Sequence, residues 1–96
     1  MTTFEKTILN NIPEGVLLTE NNTIRYSNPQ LYQLLDISAN LDGKDISILE
    51  NYGISVPTVD ELKCVRNYHT EVEISRIEHS PTEVGYIFRN IEKVLL

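Results

Sequence analysis

The sequence predicts an α+β domain whose elements run helix, two strands, short helices, two long strands and an exit helix. Three observations carry that expectation. Phe4, Ile8, Leu9 and Ile12 recur at helical spacing behind a Thr2–Glu5 pair with capping-box geometry. Two short runs rich in apolar and β-branched residues, Gly15–Thr19 and Thr23–Ser27, flank the turn residues Glu20, Asn21 and Asn22. Near the end, Val72 and Ile74, then Val84, Tyr86 and Phe88, alternate with other residues at a period of two.

Each element has a local reason. The first helix spans residues 2–12, because Pro13 disfavours helical geometry at the residue before it. The two runs around Asn21-Asn22 form a hairpin, with Ile24 and Tyr26 sharing one face. Asn28 before Pro29 starts the next helix: its side chain accepts from an orphan amide, and proline at the first helical position loses nothing. Leu31, Leu34 and Leu35 make the inward stripe of that helix. Asp45 caps a short helix through Ile46, Ile48 and Leu49 that stops at Gly53. A second capping-box pair, Thr58 and Glu61, opens a third helix with Val59, Leu62 and Cys64 or Val65 inside. Ser80-Pro81 turns the chain between the two long strands. Ile91, Val94 and Leu95 return to helical spacing, so residues 91–96 begin an exit helix.

Composition bounds the function. A chain of 96 residues holds one core, which makes residues 1–96 a single domain. Eight basic against fourteen acidic residues give a formal charge of −6, the wrong sign for binding nucleic acid by counterion release. No apolar run approaches the roughly 18–20 residues of a membrane span, and no signal-peptide pattern opens the chain, so a cytoplasmic module is expected. The one cysteine cannot form an internal bridge.

Three stretches resemble the PAS domains. IPEGVLLTENNTIRYSNPQLYQLL, residues 12–35, is similar to the family's opening hairpin and its Asn-started helix. LDGKDISIL, residues 41–49, resembles the lead into the next short helix, and VGYIFRNIEKVL, residues 84–95, the last strand and its junction with a signalling helix. The resemblance implies an antiparallel sheet in the order 2-1-5-4-3, covered on one face by short helices. The stretch from Val65 to Glu78 is short for a helix and two strands, so one of the five strands is expected to be missing or abbreviated. It also implies a sensory and dimerising module that regulates a covalently linked effector, such as a histidine kinase or a transcriptional regulator. A ligand-independent interaction scaffold is the alternative. At the output junction Arg89, Asn90, Ile91 and Glu92, this chain has Asn90 and Glu92 where the family has Asp and Thr.

Candidate sites follow from both readings. Tyr26, Tyr32, Tyr68 and Tyr86 offer hydroxyls to a pocket between helices and sheet lined by Leu18, Leu35, Ile48, Leu62 and Phe88, with the short helical region predicting a filled or very small cavity. Phe4, Ile8, Leu9 and Ile12 are the candidate interface of a homodimer. Glu71 and Glu73 mark an exposed polar face, and no nucleophile or base completes a catalytic set, so no enzyme is expected. No cofactor is predicted. Cys64 lacks the flanking residues of flavin-bonding relatives and reads as a structural thiol; His69 is the only conceivable haem ligand, and His79 reads as a turn residue.

Overall fold

The structure of the chain, a computed structural model, describes residues 1–66 and 71–91. Five antiparallel strands, β1 (Gly15–Glu20), β2 (Thr23–Ser27), β3 (Leu62–Arg66), β4 (Glu71–Glu78) and β5 (Glu83–Asn90), form one sheet in the order β2-β1-β5-β4-β3. The order read from the resemblance holds, and all five strands are present. Helix α1 (Thr3–Leu9) precedes the sheet, while α2 (Pro29–Leu35) and a 3-10 helix (Ile46–Tyr52) lie between β2 and β3.

The caps act as the sequence predicts. Thr2 accepts from the Glu5 amide and Glu5 answers the Thr2 amide. Asn28 accepts from Leu31 N, with Pro29 in the first turn, and Asp45 accepts from Ser47 N. Those bonds hold the carboxyl of Asp45 below the usual range. Gly53 ends the 3-10 helix at φ 77, a conformation open to glycine without steric cost. Asn21 and Asn22, at φ 51 and 64, make the tight hairpin turn.

Two expectations are corrected. Helix α1 stops at Leu9 rather than running to residue 12, because Asn11 departs from the helical ladder: its N donates to Ile8 O in a tighter turn and its Nδ2 takes Thr7 O. The third middle helix is instead strand β3. Thr58–Asp60 bend and the Thr58–Glu61 spacing caps nothing; β-branched Val65 and the alternation of Lys63 and Val65 with Leu62 and Cys64 suit a strand zipped to β4. This segment is where the expected shortage of strands is made good.

The core lies between the sheet and the α2/3-10 layer, with Leu17, Ile24, Leu31, Leu41, Leu49, Ile74 and Phe88 fully or almost fully buried. Sheet and helix meet closely at Gly15, where an added Cβ would stand 3.0 Å from Leu31 Cα. A β-bulge interrupts the β1–β2 ladder: Leu18 pairs with Tyr26 but Thr19 with Ile24, leaving Arg25 unpaired. The extra residue separates two side chains that simple alternation puts together. Ile24 enters the core, whereas Tyr26 joins Leu18 on the outer face of the sheet.

Candidate functional site

The interior brings together part of the expected pocket. Leu35, Tyr86 and Phe88 belong to the core cluster, and Tyr32 and Ile48 pack against it. Tyr32 Oη lies at the rim, accepting from Leu41 N at 3.0 Å, and Tyr86 faces the half-buried Arg76, whose guanidinium pairs with Asp60 at 2.8 Å. Three residues of that list lie elsewhere. Leu62 is 59% exposed on the sheet edge, Leu18 alternates with core Leu17 and so faces outward, and Tyr26 is set on the outer face by the bulge. The expectation for Leu62 fails because β3 is a strand, that for Leu18 because it alternates with Leu17, and that for Tyr26 because pairing, not spacing, sets its face. Tyr68 and His69 lie outside the described residues. Cys64 is exposed on β3, opposite Glu73.

On the outer face the N-terminal segment is fastened by side chains. Asn28, with no exposed surface, accepts from Val16 N at 2.8 Å and donates through Nδ2 to Leu9 O at 2.8 Å and Glu14 O at 2.9 Å. Gln30 Nε2 donates to Asn10 O at 2.7 Å, and Tyr26 Oη donates to Asn10 Oδ1. Burial, and secondarily the charge of Asp42, raise the Tyr26 phenol above its ordinary value. All these bonds grip the C-terminal end of α1 and the segment behind it. The helix itself has no buried residue: Phe4 is 73% exposed and Ile8 48%, with Leu9, and Ile12 in the segment behind it, half-buried.

That fastened segment then meets the last strand. Ile12 and Glu14 line a depression of about 220 Å³ with Glu73, Ser75, Ile87 and Arg89. Arg89 Nη2 is 2.6 Å from Glu73 Oε1, its directly opposed cross-strand partner. Two residues on, Ile91 N donates to Glu71 O at 3.1 Å, holding the chain against β4 at the point of exit. Entry and exit segments therefore share one wall. Of the expected output junction, Arg89, Asn90 and Ile91 are placed here, and Glu92, like the rest of the expected exit helix, lies outside the described residues. Among the described residues no group of three or more His, Cys, Asp or Glu side chains could hold a metal ion, and no helix is long and apolar enough to cross a membrane.

The family model described as PAS domain matches residues 4–71. The chain belongs to the PAS domain family. Among solved structures it is similar to the PAS domain of an HTR-like protein from Haloarcula marismortui, at 16% identity and TM-score 0.60, over 93% of this chain and 90% of that one. It is similar also to the PAS domain of nitrogen regulation protein NR(II) from Vibrio parahaemolyticus, at 25% identity and TM-score 0.55, over 94% and 100%. No curated protein sequence matches the chain. PAS domains are sensory modules of signalling proteins, and this chain is a module of that kind.

Sequence reasoning did not single out Glu14, Ser75 and Ile87 as parts of this wall, or Asn10 as the point of attachment. One signal was present. In the run Tyr86-Ile87-Phe88 every residue is apolar, the pattern of a strand covered on both faces rather than one.

Proposed function

We propose that this PAS domain is a cytoplasmic sensory module that regulates a covalently linked histidine kinase or transcriptional regulator, and that it pairs with a second copy through α1. The observation that supports the relay is the shared wall: Ile12 and Glu14 of the fastened entry segment touch the same depression as Ile87 and Arg89 of the exit strand. A shift in the seating of one changes the surroundings of the other. A signal acts on such an arrangement only through different affinity for its two packings. The buried cluster of Leu17, Leu31, Leu49 and Phe88 between sheet and helices favours a signal delivered by contact at the surface over a sizeable bound molecule.

Hydrogen exchange tests the relay. Tyr26→Phe removes the bond to Asn10 and is expected to speed exchange of the Arg89 and Ile91 amides severalfold while leaving those of β3 unchanged; uniform protection, or uniform loss of it, counts against the relay. Pairing through α1 has its own test. Met1, Phe4 and Ile8 form an exposed apolar stripe at three- and four-residue spacing. Sedimentation velocity is expected to show a dimer that the double variant Phe4→Ser/Ile8→Ser weakens at least tenfold, with no change in far-UV circular dichroism. An unaltered dimer would place the interface elsewhere.

A further inference from the structure

The two outer edges of the sheet are treated differently. Along β2 the 43–46 loop closes the edge: Ile24 N donates to Lys44 O, Gly43 N to Ile24 O and Ile46 N to Asn22 O, each at 2.7–2.8 Å. Along β3 no described residue does the same. The ladder fixes which groups are left open. Arg76 N donates to Glu61 O, so Lys63 and Val65, at two-residue steps from Glu61, turn their amides and carbonyls toward β4. Leu62, Cys64 and Arg66 turn theirs outward. The opposite side of β4 agrees, because Ile91 N donates to Glu71 O there.

Edges of this kind are commonly blunted by proline, by a bulge or by an outstretched lysine. β3 has no proline and pairs with β4 without a register shift, and its lysine is engaged, with Lys63 Nζ 3.2 Å from Ser55 Oγ. Among the described residues the exposed large apolar side chains fall into two sets, Met1, Phe4 and Ile8 at the N-terminus and Val59, Leu62 and Ile77 at or beside this edge.

We propose that the free edge of β3 is a pairing surface for β3 of a second copy, joining two sheets into one across a two-fold axis at Cys64. Antiparallel self-pairing centred there lets Leu62, Cys64 and Arg66 meet Arg66, Cys64 and Leu62 of the second copy as hydrogen-bonded pairs, using every outward group. Charge disfavours the register one residue earlier. Lys63 then faces Val65 of the second copy, whereas centring the axis one residue earlier sets the two Lys63 side chains against each other. The surface is separate from α1 and the proposal does not rest on pairing there.

The register gives a sharp test. Cα atoms of a hydrogen-bonded antiparallel pair are about 5.5 Å apart, inside the range a disulfide spans. Cys64 is exposed and free. In the Phe4→Ser/Ile8→Ser background, diamide is expected to link two copies through Cys64: both thiols lose their protons, one S–S bond forms, and diamide takes up the two electrons and two protons as its hydrazine. Moving the thiol with Leu62→Cys/Cys64→Ser is expected to slow linking at least tenfold, since those positions lie far apart across the axis. Cys64→Pro removes an outward amide and no bond to β4, and is expected to weaken non-covalent association at least tenfold with an unchanged thermal midpoint. Should proline disturb the fold, Cys64→Glu sets two like charges face to face and is expected to do the same. Equal linking from both thiol positions, a monomer at millimolar concentration, or association untouched by the folded variant would overturn the proposal.

Discussion

Replacing Phe88 with alanine is expected to lower the stability of the domain by about 4 kcal/mol. Phe88 has no exposed surface and sits on β5 between Gly15 of β1 and Ile74 of β4. Its ring is part of the buried cluster where the sheet meets α2. Neither neighbour can fill a vacated ring: Gly15 has no side chain, and Leu31 already packs against the glycine. Domains of this size have roughly 5–15 kcal/mol in total, so the variant should lose most of its folded baseline in moderate denaturant. Phe88→Leu keeps much of the volume and is expected to cost about 1 kcal/mol. Chemical denaturation read by circular dichroism separates the two, and equal midpoints for both variants would show that the ring is not tightly packed.

Changing Asn28 to aspartate is expected to cost about 3 kcal/mol at neutral pH although only one atom type changes. The acceptor half survives, since a carboxylate oxygen still receives Val16 N and Leu31 N. The donor half is reversed: a second negative oxygen now faces Leu9 O and Glu14 O, both held within 2.9 Å of Nδ2 in the native chain. The sign of the pH dependence follows. Those carbonyls favour the protonated acid, so the folded-state pKa of the new side chain rises above its unfolded value. The variant should therefore regain stability as the pH falls through that elevated value, and be least stable above it. A thermal melt is expected to drop by more than about 10 °C at pH 7 and by less in mild acid. A pH-independent deficit would mean that the N-terminal segment detaches rather than stays opposed to the charge.

Much of this architecture was legible because its signals are local. Asn28-Pro29, Asp45 with Gly53, and the Asn21-Asn22 turn each carry a backbone requirement that few residues satisfy, and each sits where the sequence placed it. The strand at Leu62–Arg66 was not legible for the converse reason. Thr58 and Glu61 have the spacing of a helix cap, and the side chains that override it, Val72 and Ile74 on β4, come from later in the chain. The same holds for the site. The bulge opposite Leu18 depends on pairing between two strands, and alternation within one strand cannot reveal it. Asn28 was readable as a cap, but its hold on Leu9 and Glu14 depends on where the preceding segment folds back.

Helix α1 is held at one end only. Its seven residues extend about 10 Å from the grip of Asn28, Gln30 and Tyr26, and among the described residues no hydrogen bond beyond its own cap secures their far end. It is in effect a lever with its pivot against the sheet. A tilt of roughly 10° at the pivot sweeps Met1 and Phe4 through about 2 Å, while displacing the clamped carbonyls by only a fraction of that. Small adjustments beside the exit strand are thereby magnified at the tip.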